Sequence, residues 1–221
     1  MVNPASHAPA VKAAAESGPA RLWFEFTLVF VGLPTAYWLG LVPLPKIPFL
    51  LLIVAAVATA LAFDPSFDRR TLWHAAPLRS ELRRILLLFV VGATGVFAFT
   101  ALAWPERLFE MPRNEPLQWL VLLVAYPLLS VYPQELLFRT FFYHRYAVLF
   151  PGPAVRIGAN ALAFGFMHVV YGNWIAVVCT TIGGVLFAWT YERTRSTLTA
   201  SVEHALFGCW MFTVGLGAFF S

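Results

Sequence analysis

The sequence holds a few ionisable side chains in surroundings that normally exclude them. Glu135, Arg139, His168 and His204 each fall within a run of apolar residues, with Gln134 and Glu203 beside two of them. Charged and ionisable groups inside apolar spans are costly, and by default they mark function. Glu135 and Arg139 are spaced i, i+4 with the acid first, the better order for a pair on one helix face. An ion pair that only locks two helices would explain these two residues, but not two further histidines in separate apolar runs. A carboxylate and two imidazoles in a dry cavity suit water activation: one group takes a proton while others donate hydrogen bonds to developing charge. On ligand type alone, Glu135, His168 and His204 could also hold zinc.

The elements that must position these groups follow from composition. Of 221 residues, 60% are hydrophobic and 12% are Asp, Glu, Lys or Arg, with 21 Phe and 8 Trp; the mean hydropathy is +0.73. Ordinary soluble domains carry about 25% charged residues, so a water-soluble globule and a disordered chain are both excluded. Spanning a bilayer takes roughly 20 mostly apolar residues. Seven such segments are predicted, over 22–42, 48–63, 85–104, 117–144, 154–170, 174–191 and 198–220, with kinks at Pro34, Pro127 and Pro133. The stretch Ser80 to Arg84 reads as an interfacial helix start with Ser80 as N-cap. Residues 1–21 are expected to form a mobile tail, without a cleavable signal or a lipid-attachment motif. Residues 22–221 form a single transmembrane domain.

Lys and Arg report the orientation. With the N-terminus in the cytoplasm, eleven fall inside (Lys12, Arg21, Arg69, Arg70, Arg79, Arg83, Arg84, Arg145, Arg156, Arg193, Arg195) and three outside (Lys46, Arg107, Arg113). That asymmetry is a positive-inside signal, and the net charge of +4 is a topology signal rather than a nucleic-acid patch. At about 1.5 Å per residue from the cytoplasmic ends, Glu135 lies roughly 14 Å deep, His204 roughly 10 Å and His168 roughly 20 Å, so tilt and kinks must bring them level. Trp23, Trp104, Trp119 and Trp174 near segment ends read as aromatic-belt anchors, and His74 and His144 as border residues. Gly183 and Gly184 are expected to permit close helix approach, and Asn160 and Ser201 to bond between helices. Cys179 and Cys209 lie in apolar stretches without CxxC spacing and read as packing residues.

Three stretches carry a resemblance. PQELLFR (133–139), FGFMH (164–168) and EHALFG (203–208) resemble the three motifs of the CPBP family of intramembrane peptidases, which comprises type II CAAX prenyl endopeptidases and bacteriocin-processing-like proteins. YERTRSTLTASVEHA (191–205) is similar to the family's tyrosine-arginine loop, and the resemblance covers about 117–217. It implies that the first acid of the motif pair activates water with His168. It also implies that His204 and the residue four later stabilise the oxyanion, and that Arg139 positions the acids. Two slots depart from the pattern: the first acid is Gln134, which cannot act as a base, and the Asn slot is Gly208, which has no side chain. A shift of the base role to Glu135 is the favoured rescue, with Gln134 orienting water or the scissile carbonyl.

The resulting expectation is an all-α, polytopic membrane bundle of about seven helices. It is expected to act as an intramembrane endopeptidase on a membrane-associated protein or peptide, with Glu135, His168, His204, Arg139 and Gln134 in the site and no cofactor. Membrane lipid and the substrate are the expected partners, not nucleic acid. The location implied is a bacterial cytoplasmic membrane, with the N-terminus cytoplasmic. The alternative is a catalytically degenerate relative that binds or protects a membrane partner. A proton-coupled carrier is disfavoured by the lack of inverted repeats.

Overall fold

The computed structural model describes residues 18–220; the expected tail therefore lies mostly outside the described residues. Among those described there is no strand, and helices follow one another from Pro19 to Phe220. We number the seven long helices α1 (19–38), α2 (Lys46–Phe63), α3 (Ala76–Ala103), α4 (Pro116–Arg145), α5 (Pro153–Met167, extended as a 3-10 turn to Tyr171), α6 (Trp174–Thr194) and α7 (Thr197–Val214). Helices α2 to α6 are long and apolar enough to cross a membrane. Helix α1 is interrupted by a π-turn, and α7 carries Glu203 and His204 among its apolar residues. Outward-facing side chains are largely apolar. Phe63 is 84% exposed, Leu102 86% and Val91 73%, a surface suited to lipid rather than water. The chain is an integral membrane protein.

Prolines shape α1 and α4. Pro has no N–H and its ring crowds the carbonyl four residues back. Before Pro34, residues Leu28–Gly32 widen into a π-turn, with Leu33 N–H reaching Leu28 O. Before Pro133, Pro127–Val131 do the same, with Tyr132 N–H reaching Pro127 O. A second π-turn, Leu136–Phe141, falls between Glu135 and the end of α4. π-turns of this kind are frequent at functional sites because they re-aim side chains.

The start of α3 differs from expectation. The helix begins at Ala76 with Pro77 in its first turn, and Ser80 lies inside it, its Oγ donating to Pro77 O at 2.9 Å rather than capping. Helix α1 likewise begins at Pro19, just before the predicted first span. Side-chain caps do start α6, where Asn173 accepts from Ala176 N–H, and α7, where Ser196 accepts from Thr199 N–H.

Helices α5 and α6 pack closely because glycine permits it. A Cβ on Gly184 would sit 3.0 Å from Ala161 Cα, and one on Gly165 would run into the Thr181 hydroxyl. An aromatic cluster of Phe26, Phe30, Phe142, Tyr146 and Phe150 binds α1 to the end of α4. Ion pairs ring the same end of the bundle: Arg145 with Glu25, Arg156 with Glu192, and Arg193 with Glu81, each at 2.8 Å. Cys179 and Cys209 are both free.

Candidate active site

Helices α4, α5 and α7 bring the chemistry-bearing residues together. Glu135 and Arg139 on α4 are fully buried, with Glu135 Oε2 3.2 Å from Arg139 Nε. Glu135 Oε1 accepts from His204 Nδ1 on α7 at 2.9 Å. The guanidinium also donates from Nη1 to Asn160 Oδ1 on α5 at 2.8 Å and lies over the Phe164 ring, 4.7 Å from its centroid. Asn160 in turn donates to Phe138 O, tying α5 back to α4. Removing one partner of a buried pair leaves an uncompensated charge, which costs about 3–5 kcal/mol, so Glu135, Arg139 and Asn160 hold the two helices in register. Asn160 is thus an interhelical partner as expected. Ser201 is not: it donates to Thr197 O in its own helix.

Both histidines are fixed by their neighbours. His204 stacks on Phe187 at 4.5 Å with 15° between planes, and Phe164 meets it edge-on at 5.4 Å. A carboxylate only accepts, so His204 Nδ1 carries a proton; Nε2 points at the Tyr126 hydroxyl, 3.3 Å away. His168 Nδ1 lies 2.8 Å from Phe164 O. A carbonyl also only accepts, so this nitrogen is protonated, and in the neutral ring Nε2 is left with its lone pair.

His168, His204, Gln134, Ser130 and Tyr126 line one cavity of about 320 Å³. Its other walls are mostly apolar, supplied by α3 (Gly92, Val96), α6 (Ile182, Leu186) and α7 (Phe207, Met211). Glu135 is not part of that wall. Its oxygens face His204 and Arg139, and none of its surface is exposed. The expected transfer of the base role to Glu135 would need its carboxylate at the cavity, whereas its contacts are with His204 and Arg139. Gln134 does reach the cavity, with Nε2 donating to Ser130 Oγ at 2.7 Å, while its Oε1 is buried without a hydrogen-bond partner.

The zinc set is corrected on the same geometry. Among the described residues no group of three His, Cys, Asp or Glu side chains could hold a metal ion. Glu135 meets His204 at the protonated Nδ1, and it is absent from the cavity wall to which His168 contributes. Glu203 belongs to a different network. Fully buried, it accepts from Thr190 and pairs with Arg84 of α3 at 3.7 Å; Arg84 also bonds Thr190 and, at 2.6 Å, Glu81.

Tyr126 is the residue that the sequence did not point to. A Cβ on Gly208 would run into the Tyr126 ring and hydroxyl, so the aromatic side chain occupies the room that a longer residue at 208 would need. Gly208 showed that a slot was empty, but nothing in the sequence showed which residue fills it.

A buried ion pair and two tautomer-fixed imidazoles thus sit beside one largely apolar cavity. Residues 116–210, which contain all three motifs, match the family model described as type II CAAX prenyl endopeptidase Rce1-like. Comparison with curated proteins and with solved structures found no match.

Proposed function

We propose that the protein is an intramembrane endopeptidase that hydrolyses a peptide bond of a membrane-associated protein or peptide. The observation that carries this reading is the convergence of His168, His204 and Gln134 on one apolar cavity inside the bundle. His168 Nε2 takes a proton from water as the water oxygen bonds to the scissile carbonyl carbon. Gln134 orients that water or the carbonyl. The Tyr126 hydroxyl, placed beside His204 Nε2 with Glu135 holding that ring, turns to donate to the developing oxyanion. As the C–N bond breaks, the proton on His168 passes to the leaving nitrogen. Arg139 acts as a positioning residue, holding Glu135 aimed at His204.

Gln134 favours a second reading, a relative that binds or protects a membrane partner without cutting it, because the carboxylate that the family places there is absent. The test is cleavage of a library of membrane-associated peptides by the protein in proteoliposomes, beside His168→Ala. Cleavage by the wild type that is lost in the variant supports the peptidase. Retention of intact peptide by a silent wild type supports the second reading.

A further inference from the structure

A second, smaller cavity touches the same polar groups from the opposite side. It has a volume of about 50 Å³ and shares Ser130, Gln134, His168 and Tyr171 with the larger one. Its outer walls come from the end of α1, the start of α2 and the end of α5: Tyr37, Lys46, Ile47 and Leu50 on one side, Met167 and Val170 on the other. Lys46 Nζ lies over the Tyr171 ring, 4.6 Å from its centroid, and the Tyr37 hydroxyl donates to Leu44 O at 2.9 Å. The space therefore runs from a charged, partly exposed lysine at the surface of the bundle to the inner site.

A hydrolase consumes water, and the large cavity is a poor source of it because its walls are mostly hydrocarbon. Buried water needs two to four polar partners and at least 10–15 Å³ of room. The small cavity offers both at its inner end. Gln134, Ser130 and His168 line it; among the described residues Gln134 Oε1 is buried without a hydrogen-bond partner, Ser130 Oγ accepts from Gln134 and retains its own hydrogen, and His168 Nε2 retains its lone pair. We propose that this passage, with Lys46 and Tyr171 at its mouth, delivers the hydrolytic water separately from the peptide, which occupies the large cavity. The proposal rests on the peptidase reading for its purpose, though not for its existence as a water-filled path.

The experiment uses the full chain in proteoliposomes and has two arms. In the first, Ile47→Trp plugs the passage; Ile47 is 39% exposed, so a larger ring is accommodated at the surface. Cleavage of a peptide that the wild type cuts should lose at least tenfold in kcat with KM within twofold. Ile182→Trp, which narrows only the large cavity, should raise KM instead. In the second arm, Met167→Cys in a Cys179→Ala/Cys209→Ala background reports access to the small hydrophilic thiol reagent aminoethyl methanethiosulfonate. Adding Ile47→Trp should slow that modification at least tenfold, whereas Ile182→Trp should leave it unchanged. Lys46→Trp serves as a second plug if Ile47→Trp fails to fold. An unchanged kcat in a folded plug variant, or an unchanged modification rate, overturns the proposal. If the wild type cuts nothing, the thiol arm decides the passage alone, while the peptidase reading fails in the cleavage assay.

Discussion

Glu135 Oε1 and His204 Nδ1, 69 positions apart in the chain, lie 2.9 Å apart in the core of the bundle. The contact makes one unit of an acid and a base that the sequence offers as independent groups. It sets the tautomer of His204 and holds its Nε2 towards Tyr126 and the cavity. Glu135→Ala should reduce kcat, because His204 loses the partner that fixes its tautomer and orientation. It should also destabilise the fold by about 3–5 kcal/mol by leaving Arg139 buried and unpaired. Glu135→Ala combined with Arg139→Met should recover stability but not activity, as thermal unfolding and cleavage measured on the same preparation would show.

His168 separates structure from chemistry more cleanly. Among the described residues its one hydrogen bond is from Nδ1 to Phe164 O, and it takes no part in the Glu135–Arg139–Asn160 network. His168→Ala should abolish cleavage while stability falls less than in Glu135→Ala, the lost hydrogen bond being worth about 0.5–1.5 kcal/mol. A variant that cuts at the wild-type rate would remove His168 from the mechanism.

Tyr126 and Gly208 share one space, and they should therefore behave as a pair. Tyr126→Phe removes the hydroxyl that faces His204 Nε2 and should cost about 10²–10³ in kcat, the scale of one oxyanion donor. Gly208→Asn alone should inactivate by displacing the ring. Gly208→Asn with Tyr126→Ala makes room for the amide, and activity should return above that of either single variant. Kinetics of the full set of four proteins read the coupling.

Outside the membrane-spanning helices, Asp64 makes a pH-dependent contribution. Partial burial opposes its ionisation, but hydrogen bonds from His144 and from Ser66 outweigh that and hold its carboxyl down at about 2. A carboxyl with a depressed folded-state pKa stabilises the fold above its unfolded value near 4 and loses that contribution as pH falls towards 2. Acid unfolding in detergent micelles should therefore show a stability loss between about pH 4 and 2 that Asp64→Asn lacks.

Chelation should leave cleavage unchanged, because the donors that could have formed a zinc set are committed elsewhere: Glu135 to His204 and Arg139, and His204 through Nδ1 to Glu135. Cleavage rates before and after dialysis against a strong chelator measure this, and a loss restored by zinc would overturn the donor assignment.

Much of the bundle is legible from hydropathy alone, since an apolar run long enough to span must be helical to satisfy its backbone. The three motif stretches likewise fall on α4, α5 and α7, the helices that build the site. What the sequence hides is direction. Ideal helix geometry cannot place Glu135 and Gln134, because π-turns at 127–131 and 136–141 rotate this part of α4. The result sends Glu135 inwards and Gln134 to the cavity. The early start of α3 was hidden for a different reason: Arg79, Arg83 and Arg84 make its first turns look unlike a span. Arg84 is in fact paired with Glu81 and Glu203. Tyr126 could not be read at all, since its role depends on a glycine 82 positions later.

The most direct test of the peptidase account compares wild type with Gln134→Glu on one membrane-associated peptide substrate under single-turnover conditions. The account predicts that the wild type cleaves, that cleavage requires His168, and that Gln134→Glu changes the rate without being needed for it. No cleavage by the wild type, with activity appearing only once Gln134→Glu restores the carboxylate, would contradict it and identify a site that has lost its chemistry.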